Sequence, residues 1–480
     1  MTFSIESFVF VIAVFLIFYF IRRRARAYFL LAASIYFIAK LDVNSCIWVI
    51  ATSGIVYLLG LLEGIALKKE KKSKAKAVMV VGISLCVLSL FVLKHVATWN
   101  FADQIFRNLI MPIGFSYYIF QAIAYLADIY TGKVKAESNL LFFLLYMCFF
   151  PKFVSGPIET PANLLPQIKS LNKVQMFEDD RISIAFPTIL YGFFMKVVVA
   201  DRIAMYAPKI LNFPHIYGTQ WLFAGMLMYT LQIYCDFAGY SAIAVGVSRL
   251  VGIRLTENFY VPYLSSDIST FWRRWHMSLS RWLRDYLYIP LGGNRKGTFR
   301  KFVNTMIVFI VCGLWHGAGL SFVIWGMLHG IYSIVDTLLA KKKEEIDKKG
   351  GVWACTRKLV GTVVTFFSVA VAWVFFGAPS TAYAVNFIVR MFKGTGEIPL
   401  DIQTIELGVT QMDKNIPVYA LFVLALDLLM LRKGLPFGEA VLKLPPIVRY
   451  IIEYALIIAI VLLGVYGPGY NAADYMYMGF

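Results

Sequence analysis

From end to end the chain is written in apolar runs of roughly 17 to 25 residues, the length an α-helix needs to cross about 30 Å of hydrocarbon. About eleven to thirteen such runs are legible in the 480 residues, several of them interrupted by Pro or Gly. Inside a bilayer no water is present to bond the backbone, so segments of this length settle as helices that satisfy their own N–H and C=O groups. The expectation is an all-α polytopic membrane protein whose interrupted runs are re-entrant pieces. The first run, Phe8 to Ile21, carries its basic cluster after it and shows no small-residue cleavage site, so it reads as a retained span and not a signal peptide.

Charged residues make up only 15% of the chain against 59% hydrophobic, yet the net charge is +18. The positive residues lie in short connections between apolar runs, which points to anionic lipid headgroups and away from nucleic acid as their partner. Arg22-Arg23-Arg24-Ala25-Arg26 follows the first span and Lys68 to Lys76 follows the third, which predicts cytoplasmic loops there and an N-terminus outside. By the same alternation the loop KKKEEIDKKGG and Arg432-Lys433 are cytoplasmic, and the tail GPGYNAADYMYMGF lies outside. The stretch from Ala378 to Pro417 reads as looser. The cysteines at 46, 86, 148, 235, 312 and 355 are scattered without a CxxC pair, as small core residues and not as a disulfide frame or metal site.

Two segments are too broken to be simple spans: MPIGFSYYIFQAIAYLADIYTG, ending near Asp128, and FFPKFVSGPIETPANLLPQI, with Pro151, Pro157, Pro161 and Pro166. Irregular backbone at membrane depth survives only where protein or a watery cavity satisfies it, so both are candidates for lining a pore or tunnel. Asp236 sits inside the apolar run from Trp221 to Gly252. A carboxylate there costs about 2.5 to 3.5 kcal/mol on insertion scales and needs a partner, either to hold helices together or to act directly.

Between Thr270 and Gly317 the pattern changes. On a helical period Trp272, Trp275, Leu279, Trp282 and Tyr286 share one face, with Arg274, Arg281 and Arg284 opposite and Arg273 beside them. That predicts one amphipathic helix lying at the membrane surface, with Arg273 and Ser280 one turn to either side of His276. A Gly-Gly-Asn-Arg turn follows, and then an apolar segment that buries Trp315-His316 deep within it. His95 and His215 read as surface or structural residues, and His329 is too far from His316 to form a paired metal site. His276 divides between an interfacial structural role and a chemical one. For His316 the apolar setting favours function, because ionisable groups are rare there, and a neutral imidazole suits proton abstraction from a hydroxyl. No HExxH, Walker or dinucleotide fingerprint is present.

The motifs DFAGYS, ENFYVPYL, FWRRWHMSLSRWLRDYLYIPLGGNR and CGLWHGAGLSFVIWGMLHG, between Tyr234 and Gly330, closely resemble the membrane-bound O-acyltransferase (MBOAT) family. The likeness extends upstream to MPIGFSYYIFQAIAYLADIY and FFPKFVSGPIE. It is similar to the bacterial branch that holds alginate and peptidoglycan O-acetyltransferases and the D-alanyl transferases of teichoic acids. DFAGYSAIAVG and WHMSLS, with Ala242, lean to the last of these; RDYLYIPLGGNR and CGLWHGAG lean to the acetyltransferases.

The resemblance implies helices around a central tunnel, with N-terminal membrane helices over 1–108, the catalytic core over 109–340, and C-terminal helices and tail over 341–480. It implies His316 as the catalytic base with His276 as its helper, and no bound cofactor or metal. It also implies a cytoplasmic thioester donor, acetyl-CoA or an acyl carrier protein, held by Arg273, Arg274, Trp275, Ser280, Arg281, Arg284 and Asp285, with Asn258, Asp236 and Trp315 nearby. The terminal YMYMGF is similar to an acyl-accepting motif, with Tyr477 as acceptor between Tyr475 and Phe480, or else it is an aromatic anchor at the outer interface. The expected acceptor is a polysaccharide or cell-wall polymer reached with an extracytoplasmic acetyltransferase or esterase-like partner, acetyl being favoured over D-alanyl. Competing readings are a lipid O-acyltransferase, a transporter or flippase, and a non-catalytic scaffold.

Overall fold

A computed structural model describes residues 5–96, 111–176, 180–393, 407–410 and 413–465. Tyr475, Tyr477 and Phe480 lie outside these residues. Every regular element among the described residues is helical, and eight helical stretches are long and apolar enough to cross a membrane; the apolar helices near Glu6–Phe20 and Leu140–Lys152 are shorter. The described residues divide into two compact units, those within 1–189 with 240–257, and those within 190–239 with 258–470.

The first unit holds α1 (Ile5–Phe20), α2 (Arg26–Leu41), α3 (Val43–Lys68), α4 (Lys72–Lys94), α5 (Phe115–Tyr130), α6 (Leu140–Cys148) and α7 (Pro161–Lys169). α5 is buried along almost its whole length, with α3 and α4 packed on it through Gly60 and Gly82. A Cβ added at either glycine would lie 2.5 Å from Tyr125 or Leu126. The outward faces of α3 and α4 stay apolar, with Leu58, Leu62, Val81 and Leu85 at least half exposed, as lipid-facing helices should be.

The proline-rich stretch after α6 is broken, as expected. It is a 3₁₀ turn at Phe150–Lys152 and an extended run before α7. Its polar groups are bonded within the unit: Lys152 Nζ donates to Gln121 Oε1 at 2.8 Å, Tyr146 Oη donates to the Glu159 carbonyl at 3.1 Å, and the Glu159 carboxylate accepts from Asn163 and Thr256. These bonds are what make irregular buried backbone tolerable here.

α8 (Arg181–Phe193) carries the chain into the second unit. There it continues through a π-helical segment, Phe194–Ala200, to α9 (Asp201–Ala204) and α10 (Ala207–Asn212). α11 (Thr219–Leu250), α12 (Ile268–Trp272), α13 (Met277–Leu283), α14 (Thr298–His316), α15 (Leu320–Lys349), α16 (Gly351–Gly377), α17 (Thr381–Lys393), α18 (Ile416–Lys433), α19 (Phe437–Leu442) and α20 (Pro446–Leu463) follow.

Two expectations need correction. The charged stretch Lys341–Lys349 is not a loop but the last turns of α15. Its residues are good helix formers, Glu344 and Lys348 pair at i,i+4 (2.7 Å), and Gly350 ends the helix at φ +66°. The region expected to be loose contains α17, which buries Ala384, Phe387 and Met391.

α14 and α15 cross with backbones nearly touching. A Cβ at Gly313 would lie 2.3 Å from the Phe322 carbonyl oxygen, and one at Gly326 would lie 2.3 Å from that of Phe309. Small residues at such crossings let membrane helices approach closely. The consequence is positional: the end of α14, where His316 sits, is held against Trp325 of α15.

Candidate active site around His276 and His316

The amphipathic stretch from Thr270 to Tyr286 is not one helix. α12 ends at Trp272, the chain turns, His276 adopts φ +42° and ψ +53°, and α13 begins only at Met277 before a π-helical turn at Arg284–Tyr288. The physical reason lies upstream, at Asn258. Tyr260 N donates to Arg274 O and Met277 N donates to Asn258 O, both at 2.9 Å, so an extended segment is zipped antiparallel against the break. The Asn258 side-chain oxygen then takes the backbone N–H and the hydroxyl of Ser278, at 3.1 and 2.9 Å. These N–H groups are claimed by Asn258 in place of a preceding helical turn. A non-glycine residue at positive φ costs about 1 to 3 kcal/mol and persists where its surroundings over-determine it.

The same oxygen assigns the proton on His276. Because a backbone N–H can only donate, the atom of Asn258 facing Ser278 N must be Oδ1, and that oxygen also lies 3.1 Å from His276 Nδ1. In the neutral ring Nδ1 therefore carries the hydrogen and Nε2 holds the lone pair. Nε2 is buried and has no hydrogen-bond partner among the described residues. Phe237 (4.7 Å between ring centroids) and Phe259 flank the ring.

We expect Asn258→Ala to strand these donors and lower stability by about 1 to 3 kcal/mol. Asn258→Asp, which still accepts from Nδ1–H, should recover most of that stability, as thermal denaturation checks. Equal loss in the two variants would remove the tautomer-setting role.

His316 is not deep within its helix but its last residue, 3% exposed. Three aromatic rings surround it: Trp315 at 4.7 Å, and Trp325 and Phe376 at 5.1 Å, each steeply inclined to the imidazole. The carbonyl end of α14 and these π systems both favour a positive charge formed at that point. The Trp315 ring lies 6.2 Å from His276 on one hand and against His316 on the other, so a single indole connects the two histidines.

Other expected residues are placed differently. Trp275 is core, 2% exposed and packed on Phe259, Tyr263, Phe271 and Trp373. Ser280 stands one turn from His276 as expected, its N–H donating to the His276 carbonyl at 3.0 Å, with its Oγ on the Trp275 carbonyl (3.4 Å), whereas Arg273 belongs to the turn after α12, across the break. Arg273, Arg281 and Arg284 are exposed, Arg284 paired with Asp285 at 2.7 Å, while Arg274 lies over the Tyr260 ring at 5.8 Å. Asp236 has the partner its setting demanded: Lys196 Nζ lies 2.7 Å from Asp236 and 2.7 Å from Asp201, all three buried.

Not anticipated were Trp325 and Phe376 around His316, nor His329 behind Trp325. His329 Nδ1 accepts from the indole N–H of Trp272 at 3.3 Å, and Asp336 accepts from Ser269 N at 3.1 Å, so α15 anchors α12 at two points. The i,i+4 spacing of Trp325 and His329 on one face of α15 was the available signal.

The membrane-bound O-acyltransferase family model matches residues 75–341. The probable alginate O-acetylase of Pseudomonas putida is 34% identical over 405 residues, covering 82% of this chain and 80% of that one. The peptidoglycan O-acetyltransferase of Helicobacter pylori is 34% identical over 310 residues, 59% of this chain and 57% of its own. The teichoic acid D-alanyltransferase of Streptococcus thermophilus is 32% identical over 317 residues, 61% and 73% respectively. With more than half the chain matched by the family model, and with eight helices long and apolar enough to cross a membrane among the described residues, the protein belongs to the membrane-bound O-acyltransferases and is a multi-pass membrane acyltransferase.

Proposed function

We propose that this protein moves an acyl group, acetyl in preference to D-alanyl, from a cytoplasmic thioester across the cell membrane for O-acylation of an extracytoplasmic polysaccharide or cell-wall polymer. His316 takes the proton of the attacking hydroxyl as the new ester C–O bond forms, and returns it to the departing thiolate as the thioester C–S bond breaks. His276, its Nδ1–H held by Asn258, presents Nε2 as an acceptor that orients the nucleophile. The observation that carries the reading is the burial of both imidazoles against the single indole of Trp315.

Acetyl is preferred because the alginate O-acetylase relative covers 82% of the chain while the D-alanyltransferase relative covers 61%. The donor is acetyl-CoA or an acyl carrier protein, whose phosphates or carboxylates suit the exposed guanidinium groups of Arg273, Arg281 and Arg284. The basic clusters after α1 and α3 support cytoplasmic loops there, and with them N- and C-termini outside. Residues 1–108, 109–340 and 341–480 serve in this reading as N-terminal helices, catalytic core with its tunnel, and C-terminal helices with the tail.

Tyr477 receives the acyl group from the donor and passes it to an extracytoplasmic esterase-like partner or to the polymer. A phenol with its ordinary pKa near 10 needs a base such as His316 to act as nucleophile. With radiolabelled acetyl-CoA, wild-type protein should become covalently labelled at the tail and Tyr477→Phe should not. Unchanged labelling of that variant would remove the relay step while leaving the transferase assignment in place.

A further inference from the structure

Within the second unit, one cavity of about 890 Å³ lies apart from both histidines. It is lined by α11 from Trp221 to Tyr234, by Thr362 to Phe367 of α16 and by Ile416 to Asp427 of α18, with Tyr263 closing one side. Neither His276 nor His316 is among its lining residues. It opens sideways: Val363, Phe367 and Leu424 of its lining are between 38% and 49% exposed, on helices long and apolar enough to cross a membrane, and Phe223 of α11 is 41% exposed.

Most polar groups in its wall are already committed. Thr230 Oγ1 donates to Met226 O, Tyr263 Oη to Thr230 O, Tyr234 Oη to Asp427, Tyr206 Oη to Asp413, and Thr362 Oγ1 to Lys358 O. What the cavity offers an occupant is therefore hydrocarbon. The exception is at one end, where the indole N–H of Trp221 is buried without a partner among the described residues and Lys414 is exposed.

Tyr234 and Asp427 touch, and the lining residues on α11 and α18 both run N-terminally from that contact, so Trp221 and Lys414 share the far end. From Tyr234 to Trp221 along α11 is about 20 Å, more than half of a hydrocarbon core about 30 Å thick.

We propose that this cavity is a seat for one bilayer phospholipid. An acyl chain fills it as far as Tyr234 and Tyr263, and the phosphate and ester oxygens meet the Lys414 ammonium and the Trp221 N–H. The chain then packs behind the aromatic wall that holds the active site, because Tyr234 and Tyr263 are the rings on which Trp275, next to His276, rests at 6.3 and 6.0 Å. The seat is independent of which acyl group is transferred.

The test is native mass spectrometry of the delipidated full-length protein titrated with palmitoyl-oleoyl phosphatidylglycerol. Wild type should retain one phospholipid that Ala420→Trp binds at least tenfold more weakly, and Ala224→Leu, a smaller filling, covers the case in which the tryptophan does not fold. Lys414→Gln should weaken retention about fivefold, the effect of losing one lysine beside a lipid phosphate. Equal retention by wild type and the filled variants would overturn the proposal, and so would free palmitate binding as tightly as the phospholipid.

Discussion

A His316→Ala protein that still inserts and purifies as a folded species is expected to lose transfer from thioester to hydroxyl by about 10² to 10⁴-fold, the usual contribution of a positioned general base. The size follows from the surroundings. His316 is the last residue of a helix fixed in place by glycine contacts to α15, and its ring is enclosed by Trp315, Trp325 and Phe376. Water brought in by a truncated side chain would have no such orientation. His316→Gln, which keeps volume and polarity but has no basic nitrogen, should fail equally; measuring kcat and KM separately should show the loss in kcat. A variant of either kind with wild-type turnover would end the assignment.

The second large effect is on stability and lies in the Lys196–Asp201–Asp236 cluster. One ammonium sits 2.7 Å from each of two carboxylates, and all three side chains are at most 9% exposed. Lys196→Met removes the cation shared by two buried acids and should destabilise the protein by about 3 to 5 kcal/mol. Asp236→Asn should be mild by comparison, because it leaves Lys196 and Asp201 as a balanced pair. Thermal unfolding in detergent, followed by retained monodisperse protein, distinguishes the two. If Asp236→Asn proved the more damaging, Asp236 would have a role beyond holding Lys196.

Much of the fold was legible before any coordinates because span length and apolar composition are local properties. The broken backbone around Pro151 and Pro157 was legible for the same reason, since each proline denies a helix a donor, whereas Pro161 opens α7 and Pro166 is accommodated inside it. The break at His276 was not. The Trp and Arg periodicity continues on both sides of it, and what interrupts the helix is an asparagine eighteen positions upstream that takes the N–H of Ser278 and bonds His276 Nδ1.

Asp236 announced that it needed a partner but not which one. The lysine in the apolar run FFMKVVVA carried the same signal, a charge where none should be stable alone, and joining the two would have predicted the pair. The pairing of His276 and His316 through Trp315 was open to motif likeness but not to spacing, because forty residues of turn and helix separate them. The glycines at 313 and 326 looked like ordinary small residues, and only the crossing of α14 with α15 shows why a side chain there would collide with backbone oxygen.

The most direct measurement reconstitutes the full-length protein in sealed vesicles, adds labelled acetyl-CoA on the side of the basic loops, and traps a polysaccharide acceptor and its partner enzyme inside. Label should appear on the enclosed polymer with wild-type protein and stay outside with His316→Ala. Label reaching the enclosed polymer at the same rate with both proteins would contradict the claim that one buried imidazole joins a donor from one compartment to an acceptor in the other.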